Sequence, residues 1–353
     1  MTATIYDVAR RAGVSTATVS KVLSNTPYVS EPTRLKVLEA VEALDYVPSL
    51  AAKGLSKART YIIGLVIPYT SDYLFSDPHL LEIIRGIERI ARGRGYSLML
   101  STGLAAVHRG IASNAMQPIL RSKYADGVIL LAASALPGGQ PEISNRPCVS
   151  IGYSSPIGQG NTVHSDDRQG AIAATRHLLS LGHRRIGLIS ATTPITALTR
   201  RLEGHRETLR EAGIAFDPAL LTWGDFSPES GYAAAGQLLA LAEPPTAIFA
   251  FNDRMAMGAI RRLREADVAI PDEMAVVGFD DIPAAAYFDP ALTTVRQPAQ
   301  AMGEQAAQMI LGLIEGNEAR FVDAVLPAEL VIRRSSGASL QPIHQGGLAV
   351  PSA

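Results

Sequence analysis

Cysteine, long apolar runs and an excess of either charge are what this chain most clearly lacks. One of its 353 residues is a cysteine, Cys148, so no disulfide within the chain can stabilise the fold. No run reaches the roughly 18 apolar residues of a membrane-spanning helix, and no basic and apolar leader opens the chain. We therefore expect a cytoplasmic protein with no membrane partner.

The net charge of −1 gives no sign of a nucleic-acid partner, but the charge is unevenly placed. Residues 1–60 hold eight Lys/Arg and five Asp/Glu, a net +3, whereas the remainder holds 24 and 28, a net −4. This asymmetry has the sign that a DNA-binding head needs. The seven histidines show no metal-ligand spacing, and neither GxSxG nor a phosphate-binding glycine loop occurs. We predict no metal, no cofactor and no catalytic residue.

Two short amphipathic helices joined by a turn are predicted at the start of the chain. Thr4 and Asp7 form a capping-box pattern ahead of the first helix. Gly13 then breaks the run, where a tight turn between packed helices needs a positive φ. The apolar positions of both helices recur at helical spacing and are expected to face each other: Ile5, Val8, Ala9, Ala12, Val19, Val22 and Leu23.

The second helix begins after its cap, Ser15, and carries small polar residues and a lysine on its outer face: Thr16, Ala17, Ser20 and Lys21. Such a face suits the major groove of DNA. An ordinary helical hairpin is the alternative. A third helix follows Ser30, and four apolar residues every three positions are expected to close a small core over the first two helices: Leu35, Leu38, Val41 and Leu44.

Residues 48–59, PSLAAKGLSKAR, are too few for a domain and carry three basic residues. A plain linker is one interpretation. The other is a short helix that forms only on DNA and inserts Leu55 as an apolar wedge between base steps of the minor groove. Gly54 raises the cost of helix formation by about 1 kcal/mol, which suits order that depends on binding.

From Tyr61 onward, short β-rich runs alternate with amphipathic helices. Strands are predicted at 62–67, 97–100, 127–131, 148–151, 186–189, 247–251 and 275–279, and helices at 80–94, 169–181, 199–212, 230–241, 254–267 and 299–315. This α/β alternation indicates doubly wound parallel sheets, and the number of units indicates two subdomains. Ligand clefts of such sheets lie at the carboxyl ends of the strands, where Arg201, Asn252 and Asp280 are expected.

The ordered set of motifs resembles the LacI/GalR (lactose-repressor-like) family of transcription regulators over nearly the whole chain. The motifs are IYDVARRAGVSTATVSKVLSN, VSEPTRLKVLEAVEALDYVPS, AAKGL, HLLSLGHRRIGLI, TRRLEGHRETLREAGI, FNDRMAMGAIRRLREADVAIPDEMAVVGFDD and PALTTVRQP. The resemblance implies a homodimeric repressor that binds a palindromic operator in double-stranded DNA, with a core like periplasmic sugar-binding proteins.

The resemblance assigns residues to both sites. On the DNA side, Thr16, Ala17 and Lys21 match positions that read base edges, and Tyr6, Thr18 and Ser20 match positions that contact phosphates. Ser15 is also expected to contact DNA. Leu55 matches the family's hinge leucine. On the effector side, the matches are Arg201, Phe226, Asn252 and Asp280, with Asp166 as a weaker match. The loop 72–79 departs from the family pattern in length and should form part of the pocket wall, with Phe75 or Tyr73 near the ligand.

The implied boundaries are a head at 1–48, a hinge at 49–60, a core at 61–335 and a tail at 336–353. The first subdomain takes 61–161 and 293–322, and the second takes 162–292 and 323–335. The tail has no leucine heptads, so a dimer is expected rather than a tetramer. Asp253 and Asp281 are expected to be caps rather than ligand contacts.

The hypothesis for control is that effector binding moves the two subdomains and changes the separation of the hinge helices. A coupling of about 1–3 kcal/mol between the sites is enough for roughly 5–150-fold control of operator affinity. A sugar or sugar derivative is preferred to a nucleobase as effector, because Arg supplies donors, carboxylates accept from vicinal hydroxyls and an aromatic covers a sugar's C–H face. The alternative function is a cytoplasmic sugar-binding protein or sugar-active enzyme without a DNA role.

Overall fold

The computed structural model describes residues 3–23, 28–46, 59–67, 71–102, 124–131, 146–152, 160–193, 195–317 and 322–337. The chain forms two compact units: a head, 1–62 with 124–126, and a core, 63–123 with 127–353. Leu55, most of the expected hinge, residues 338–353 of the tail and the side chain of Tyr73 lie outside the described residues. Among the described residues, no helix is long and apolar enough to cross a membrane.

Within its described residues, the head contains three helices, α1 (Ile5–Ala12), α2 (Thr16–Leu23) and α3 (Glu31–Ala43). The Thr4 hydroxyl and the Asp7 backbone and carboxylate form the predicted capping box at the start of α1. Gly13 has φ 66° in the turn, a conformation that a side chain would strain. The core of the head contains Val8, Ala9, Val19, Val22, Val37, Ala40 and Tyr46.

The expected packing face of α3 was wrong in part. Leu35 and Leu38 are 53% and 45% exposed, and Val37 and Ala40 take the buried positions instead. Residues three apart on a helix rotate by about −60° per step, so four of them span half the helix circumference. Only Val41 and Leu44 of the expected set therefore pack against the core of the head.

In the part of the core that the structure describes, two six-stranded, mainly parallel sheets form an α/β structure, which confirms the predicted fold class. The strands are β1 (Ile62–Ile67), β2 (Ser97–Thr102), β3 (Gly127–Leu131), β4 (Cys148–Ile151), β5 (Asn161–Ser165), β6 (Ile186–Ala191), β7 (Leu221–Gly224), β8 (Ala247–Ala250), β9 (Ala275–Asp280), β10 (Thr293–Arg296), β11 (Asp323–Leu326) and β12 (Glu329–Val331). The first sheet has the order β11-β5-β4-β3-β1-β2 and the second β12-β10-β9-β8-β6-β7, with β12 antiparallel to β10.

Helices cover the sheets and make close crossings with each other. They are α4 (Ser71–Ser76), α5 (Pro78–Gly93), α6 (Asp167–Ser180), α7 (Thr196–Glu211), α8 (Pro228–Leu239), α9 (Asp253–Glu265), α10 (Pro283–Tyr287) and α11 (Ala299–Glu315), with 3-10 turns at Pro218–Leu220 and Arg334–Ser336. A Cβ on Gly86 of α5 would overlap the carbonyl oxygen of Gln300, and one on Gly303 of α11 would overlap that of Ile83. Glycine therefore sets the distance between α5 and α11.

The sheets divide the core at different residues from the expected subdomain boundaries. β10 (Thr293–Arg296) pairs with β9 in the second sheet, although 293–322 was expected in the first subdomain. β11 (Asp323–Leu326) pairs with β5 in the first sheet, although 323–335 was expected in the second. The chain therefore leaves the second subdomain after β10, and it leaves the first subdomain after β11.

Candidate functional site

A cavity of about 130 Å³ lies between the two subdomains of the core, at the carboxyl ends of the strands. This is where a doubly wound sheet is expected to bind a ligand. Its polar walls contain Asp77, His79, His164, Ser165, Asp167, Thr196, Arg201, Asn252, Asp280 and Gln297. Its apolar walls include Leu80, Ile83, Leu131, Ile151, Ile195, Phe226 and Met302. A concave space in which polar groups converge between apolar walls is typical of a small-molecule site.

Arg201 reaches this cavity from α7 but is held by the protein itself. Its Nε donates to the Asp167 carboxylate at 2.7 Å and its Nη1 donates to the carbonyl oxygen of Phe251. The guanidinium also stacks on the Phe279 ring, 3.7 Å from the ring centroid. Both partners of the ion pair are buried. The positive charge is therefore balanced before any ligand arrives.

Asn252 fixes the aromatic wall of the cavity. Its side-chain oxygen accepts from the Met255 backbone N–H at 2.9 Å, which caps α9. Its amide nitrogen donates to the Phe226 carbonyl at 3.1 Å. Phe226 has φ 70°, a conformation that few non-glycine residues adopt, and this hydrogen bond stabilises it. Asn252 thus positions Phe226, and the second N–H of its amide makes no hydrogen bond to another residue in the described part of the chain.

A chain of hydrogen bonds joins the two subdomains at the cavity. Gln297 donates to the Asp280 carboxylate at 2.7 Å, and its amide oxygen accepts from the Ser165 hydroxyl at 2.6 Å. Ser165 also contacts the Asp167 carboxylate at 3.2 Å. Ser165 ends β5 of the first sheet, and Asp280 ends β9 of the second. A ligand hydroxyl that contacts Asp280 therefore acts on a network that spans both subdomains.

Burial raises the pKa of the Asp280 carboxyl to about 6. His79 and Arg201 oppose this shift, Asp77 adds to it, and the Gln297 hydrogen bond opposes it. The neighbouring Asp253 is also buried, and its pKa lies well above the ordinary value because of burial and the Asp280 charge. Both carboxylates therefore carry a free-energy cost when they are ionised in the folded protein.

Asp280→Asn should raise the free energy of unfolding relative to wild type at pH 7, and the gain should shrink as the pH falls from about 6 to about 4. A folded-state pKa above the unfolded value of 3.8 means that folded wild type takes up the extra proton in this interval and gains stability. The measurement is urea unfolding of both proteins from pH 4 to 7.

Asp225→Asn is the matched control, because hydrogen bonds from Ser227 lower the pKa of Asp225 instead. This variant should lose stability at pH 7 by an amount that stays constant down to about pH 4.5. The burial cost assigned to Asp280 would be contradicted if the stability difference between Asp280→Asn and wild type stayed constant from pH 6 to pH 4. It would also be contradicted if this difference grew as the pH fell.

Two of the expected effector residues lie away from the cavity. Phe75 is 64% exposed on α4 and does not line it. Asp166 is the N-cap of α6, where its carboxylate accepts from the Gln169 N–H at 3.0 Å, and the adjacent Asp167 faces the cavity. Residues 72–79 were predicted as a loop, but the structure places most of them in α4 and at the start of α5. They contribute Asp77 and His79 to the cavity, and Asp77 caps α5 by accepting from the His79 N–H at 3.0 Å.

The two expected capping aspartates have other roles. Asp253 accepts from the Ile282 N–H at 2.9 Å and from the Thr294 hydroxyl, while Asn252 caps α9. Asp281 pairs with Arg296 at 2.7 Å and with Arg333 at 2.6 Å. The expectation that these residues are structural rather than ligand contacts is consistent with these bonds, but the capping roles were wrong.

In the head, the expected DNA-reading residues lie on α1 and α2. Tyr6, Ala17 and Lys21 are exposed, and Thr16, Thr18 and Ser20 are half-buried. The exposed Ser15 caps α2 by accepting from the Thr18 N–H at 3.2 Å. Ala17 and Lys21 are four residues apart and therefore share a face of α2.

A three-helix head of this kind and a two-subdomain core with a polar cleft define a class, the effector-controlled DNA-binding transcriptional regulators. Residues 4–49 match the family model of bacterial regulatory proteins, lacI family, and residues 175–336 match that of the periplasmic binding protein-like domain. The chain is 35% identical over 337 residues to the HTH-type transcriptional repressor PurR of Photobacterium profundum, covering 94% of this chain and 98% of that one. It is 34% identical over 339 residues to the HTH-type transcriptional repressor CytR of Escherichia coli, covering 95% and 97%.

Solved structures agree with these relatives. The complex of the transcriptional regulator CelR with cellobiose has a TM-score of 0.72 at 34% identity, covering 94% of this chain and 99% of that one. The Lac repressor dimer bound to operator and the anti-inducer ONPF has a TM-score of 0.82 at 28% identity, covering 96% and 100%. The chain belongs to the LacI family of bacterial regulatory proteins. The family resemblance seen in the sequence is thereby confirmed.

Proposed function

We propose that the protein is a repressor that binds a palindromic operator as a homodimer and that an uncharged sugar or sugar derivative in the core cavity sets its operator affinity. The observation that supports the uncharged ligand most directly is the Arg201–Asp167 pair, because Arg201 is the only Lys or Arg among the described residues that line the cavity. The described walls also hold three carboxylates, Asp77, Asp167 and Asp280. A phosphate or carboxylate on the ligand would face this excess of negative charge.

The remaining groups suit hydroxyls. Asp77 and Asp280 supply acceptors, Asn252 and Gln297 supply amides, and Phe226 offers an apolar ring face to the C–H side of a sugar. The relative CelR, which was solved with cellobiose, supports a sugar as the effector class.

The DNA-binding part of the proposal rests on the head. Each subunit would place α2 in one major groove, with Thr16, Ala17 and Lys21 toward base edges and Tyr6, Ser15, Thr18 and Ser20 toward the phosphates. The Lac repressor dimer on its operator supports two-fold binding of this kind. Half-sites one helical turn apart, about 10 bp or a multiple of it, then mirror the two-fold axis.

We further propose that the chain acts in the cytoplasm, where its DNA target lies, and has no catalytic activity. Its relatives are repressors rather than enzymes. Steady-state assays on the sugars that bind should show no turnover. Measurable hydrolysis or isomerisation by the purified protein would favour the sugar-active enzyme instead.

The test of the effector assignment is a thermal-shift screen of neutral sugars paired with their uronates and phosphates, with nucleosides and purines alongside. A ligand that binds only the folded protein at about 100 times its Kd adds about 2.7 kcal/mol of stability. We expect the neutral member of a pair to raise the melting temperature more than its anionic partner. A phosphorylated sugar or a purine that gives the largest shift would contradict the uncharged-sugar assignment.

Lys21→Ala should weaken binding to a selected operator by about 1–3 kcal/mol while changing binding to random duplex much less, because a base contact carries sequence information. The operator is first selected from a random duplex pool, and affinities are measured by fluorescence anisotropy. Lys36→Ala is the control, since it removes the same charge from α3. Equal losses for the two variants would contradict the assignment of α2 as the reading helix.

A further inference from the structure

One carboxylate, that of Asp126, holds the last residue of the expected hinge and the first residue after it. Its Oδ1 accepts from the Thr60 backbone N–H at 2.6 Å and from the Thr60 hydroxyl at 2.8 Å. Its Oδ2 accepts from the Tyr61 N–H at 2.9 Å. Thr60, Tyr61 and Asp126 are called the junction cluster below. Both oxygens of one side chain are therefore used to fix two consecutive residues of a distant segment.

The backbone of the junction cluster is held in a conformation that it would not choose alone. Tyr61 has φ 56°, in the left-handed region that few non-glycine residues adopt. Such a conformation persists only where the surrounding structure holds it, and it is common at functional and switch segments. The Asp126 N–H also donates to the Ile62 carbonyl at 2.8 Å, and the Thr60 hydroxyl accepts from the Ile62 N–H at 3.3 Å. These hydrogen bonds fix the backbone direction at residues 60–62.

Two buried strands begin at the junction cluster. Tyr61 directly precedes β1, and Asp126 directly precedes β3. The strands are parallel neighbours, paired from Ile63 opposite Gly127 onward, and nearly all of their residues are buried. The last residue of β3, Leu131, lines the effector cavity. One stiff pair of strands, roughly 17 Å long, thus has the junction cluster at its amino end and the cavity at its carboxyl end.

We propose that Asp126 is a positioning residue for operator binding. It ties the end of the hinge to β1 and β3, so a movement of the cavity wall reaches the hinge as a change in backbone position. Rigid secondary elements and hydrogen-bond networks can carry such coupling between distant sites. This inference rests on the proposed function, in which a ligand in the core cavity sets operator affinity. Asp126 is not among the described residues that line that cavity.

A positioning role and a purely structural role predict different results. If Asp126 only stabilised the fold, its replacement would weaken effector binding and operator binding together. If it positions the hinge, the free protein should bind its effector normally while operator affinity falls. The ratio of the two losses therefore identifies the role.

Two substitutions loosen the junction cluster from opposite sides. Asp126→Asn keeps the shape of the side chain but replaces one acceptor oxygen by an NH₂ group, which cannot accept from the N–H groups of Thr60 or Tyr61. Thr60→Val keeps the branched shape and removes the hydroxyl donor. Thr60→Ser is the conservative variant, because it retains the hydroxyl and should restore wild-type behaviour.

Asp217→Asn is the matched control for Asp126→Asn. Asp217 is also half-buried, and its carboxylate accepts from the Ala219 N–H at 3.0 Å and from Arg185 at 3.2 Å. It lies at a 3-10 turn that leads into β7 of the second sheet. This variant removes a similar set of hydrogen bonds from a place that the proposal gives no part in control.

Operator affinity is measured by fluorescence anisotropy on the selected operator, with and without the ligand found in the screen. Calorimetry measures ligand binding to the free protein. For Asp126→Asn and Thr60→Val, we expect the tighter of the two operator affinities to fall by about tenfold, because binding must then order the freed residues. The ligand-induced shift should shrink accordingly, since the weaker state has no ordered junction to lose. Ligand binding to the free protein should match wild type in every variant.

The positioning role is overturned if both variants keep the wild-type operator affinity and response. It is also overturned if ligand binding to the free protein falls as much as operator affinity, or if Asp217→Asn loses as much operator affinity as Asp126→Asn. The proposed function fails by a different readout, a wild-type operator affinity that no ligand changes. The operator affinities of the ligand-free variants still decide the role of Asp126 in that case.

Discussion

Replacing Arg201 by leucine is expected to lower the stability of the protein by about 3–5 kcal/mol and to abolish effector binding. The substitution leaves the buried Asp167 carboxylate without its ion-pair partner and removes the donor to the Phe251 carbonyl. It also removes the stacking contact with Phe279. Urea unfolding measures the first effect, and calorimetry with a ligand found in the screen measures the second.

A second variant separates the two roles of Arg201. Asp167→Asn combined with Arg201→Leu removes both charges of the pair. Much of the stability lost in Arg201→Leu should return, because removing a whole buried ion pair costs far less than removing one partner. Ligand binding should stay absent. Arg176→Leu is the control, since Arg176 pairs with Glu211 on the exposed surface and should cost below about 1 kcal/mol. If the single variants Arg201→Leu and Arg176→Leu were equally stable, the buried pair would not have the structural role assigned to it.

Gly258→Ala should destabilise the core by about 3 kcal/mol or more. A Cβ at this position of α9 would overlap the carbonyl oxygen of Pro228 at the start of α8, and a Cβ on Gly231 of α8 would overlap the Met255 carbonyl. The obstacles are backbone atoms, which cannot rotate away. Phe226 lies just before α8 and Asn252 is the N-cap of α9, so a shift of these two helices would also move two cavity residues. We therefore expect ligand binding to weaken together with stability.

Gly93→Ala makes the same chemical change where there is room. Gly93 is the last residue of α5, its φ is not positive, and a Cβ there would meet nothing within 4 Å. Alanine should therefore be neutral or stabilise by about 0.4–1 kcal/mol. Chemical unfolding of both variants decides the matter. A Gly258→Ala protein as stable as Gly93→Ala would show that the two helices separate easily.

Apolar runs predicted the strands that are built from apolar residues and missed two buried strands that are built mostly from polar ones. The apolar runs of β1, β3, β8 and β9 were predicted as strands because both faces of a parallel sheet are buried. β5 (Asn161–Ser165) and β10 (Thr293–Arg296) were missed, since their polar residues give no apolar run. Both strands end at the cavity: β5 ends at Ser165, and β10 ends at Arg296, directly before Gln297.

The site residues show a similar limit. The strand ends correctly pointed to Arg201, Asn252 and Asp280 as cavity residues, because parallel strands end at one edge. The sequence could not show that Asn252 is used to hold Phe226 or that Arg201 is already paired with Asp167. In the Asp166–Asp167 dipeptide, one residue caps the helix and the next enters the cavity, and only the backbone direction decides which.

Control of DNA binding by the cavity is tested most directly by an operator-binding isotherm of the protein with and without the ligand identified in the screen. We expect the ligand to shift the operator affinity of the wild type by roughly 5–150-fold. The Asp167→Asn and Arg201→Leu double variant should still bind the operator and should show no shift. A ligand that binds the cavity tightly and leaves the wild-type operator affinity unchanged would show that this cavity does not control DNA binding.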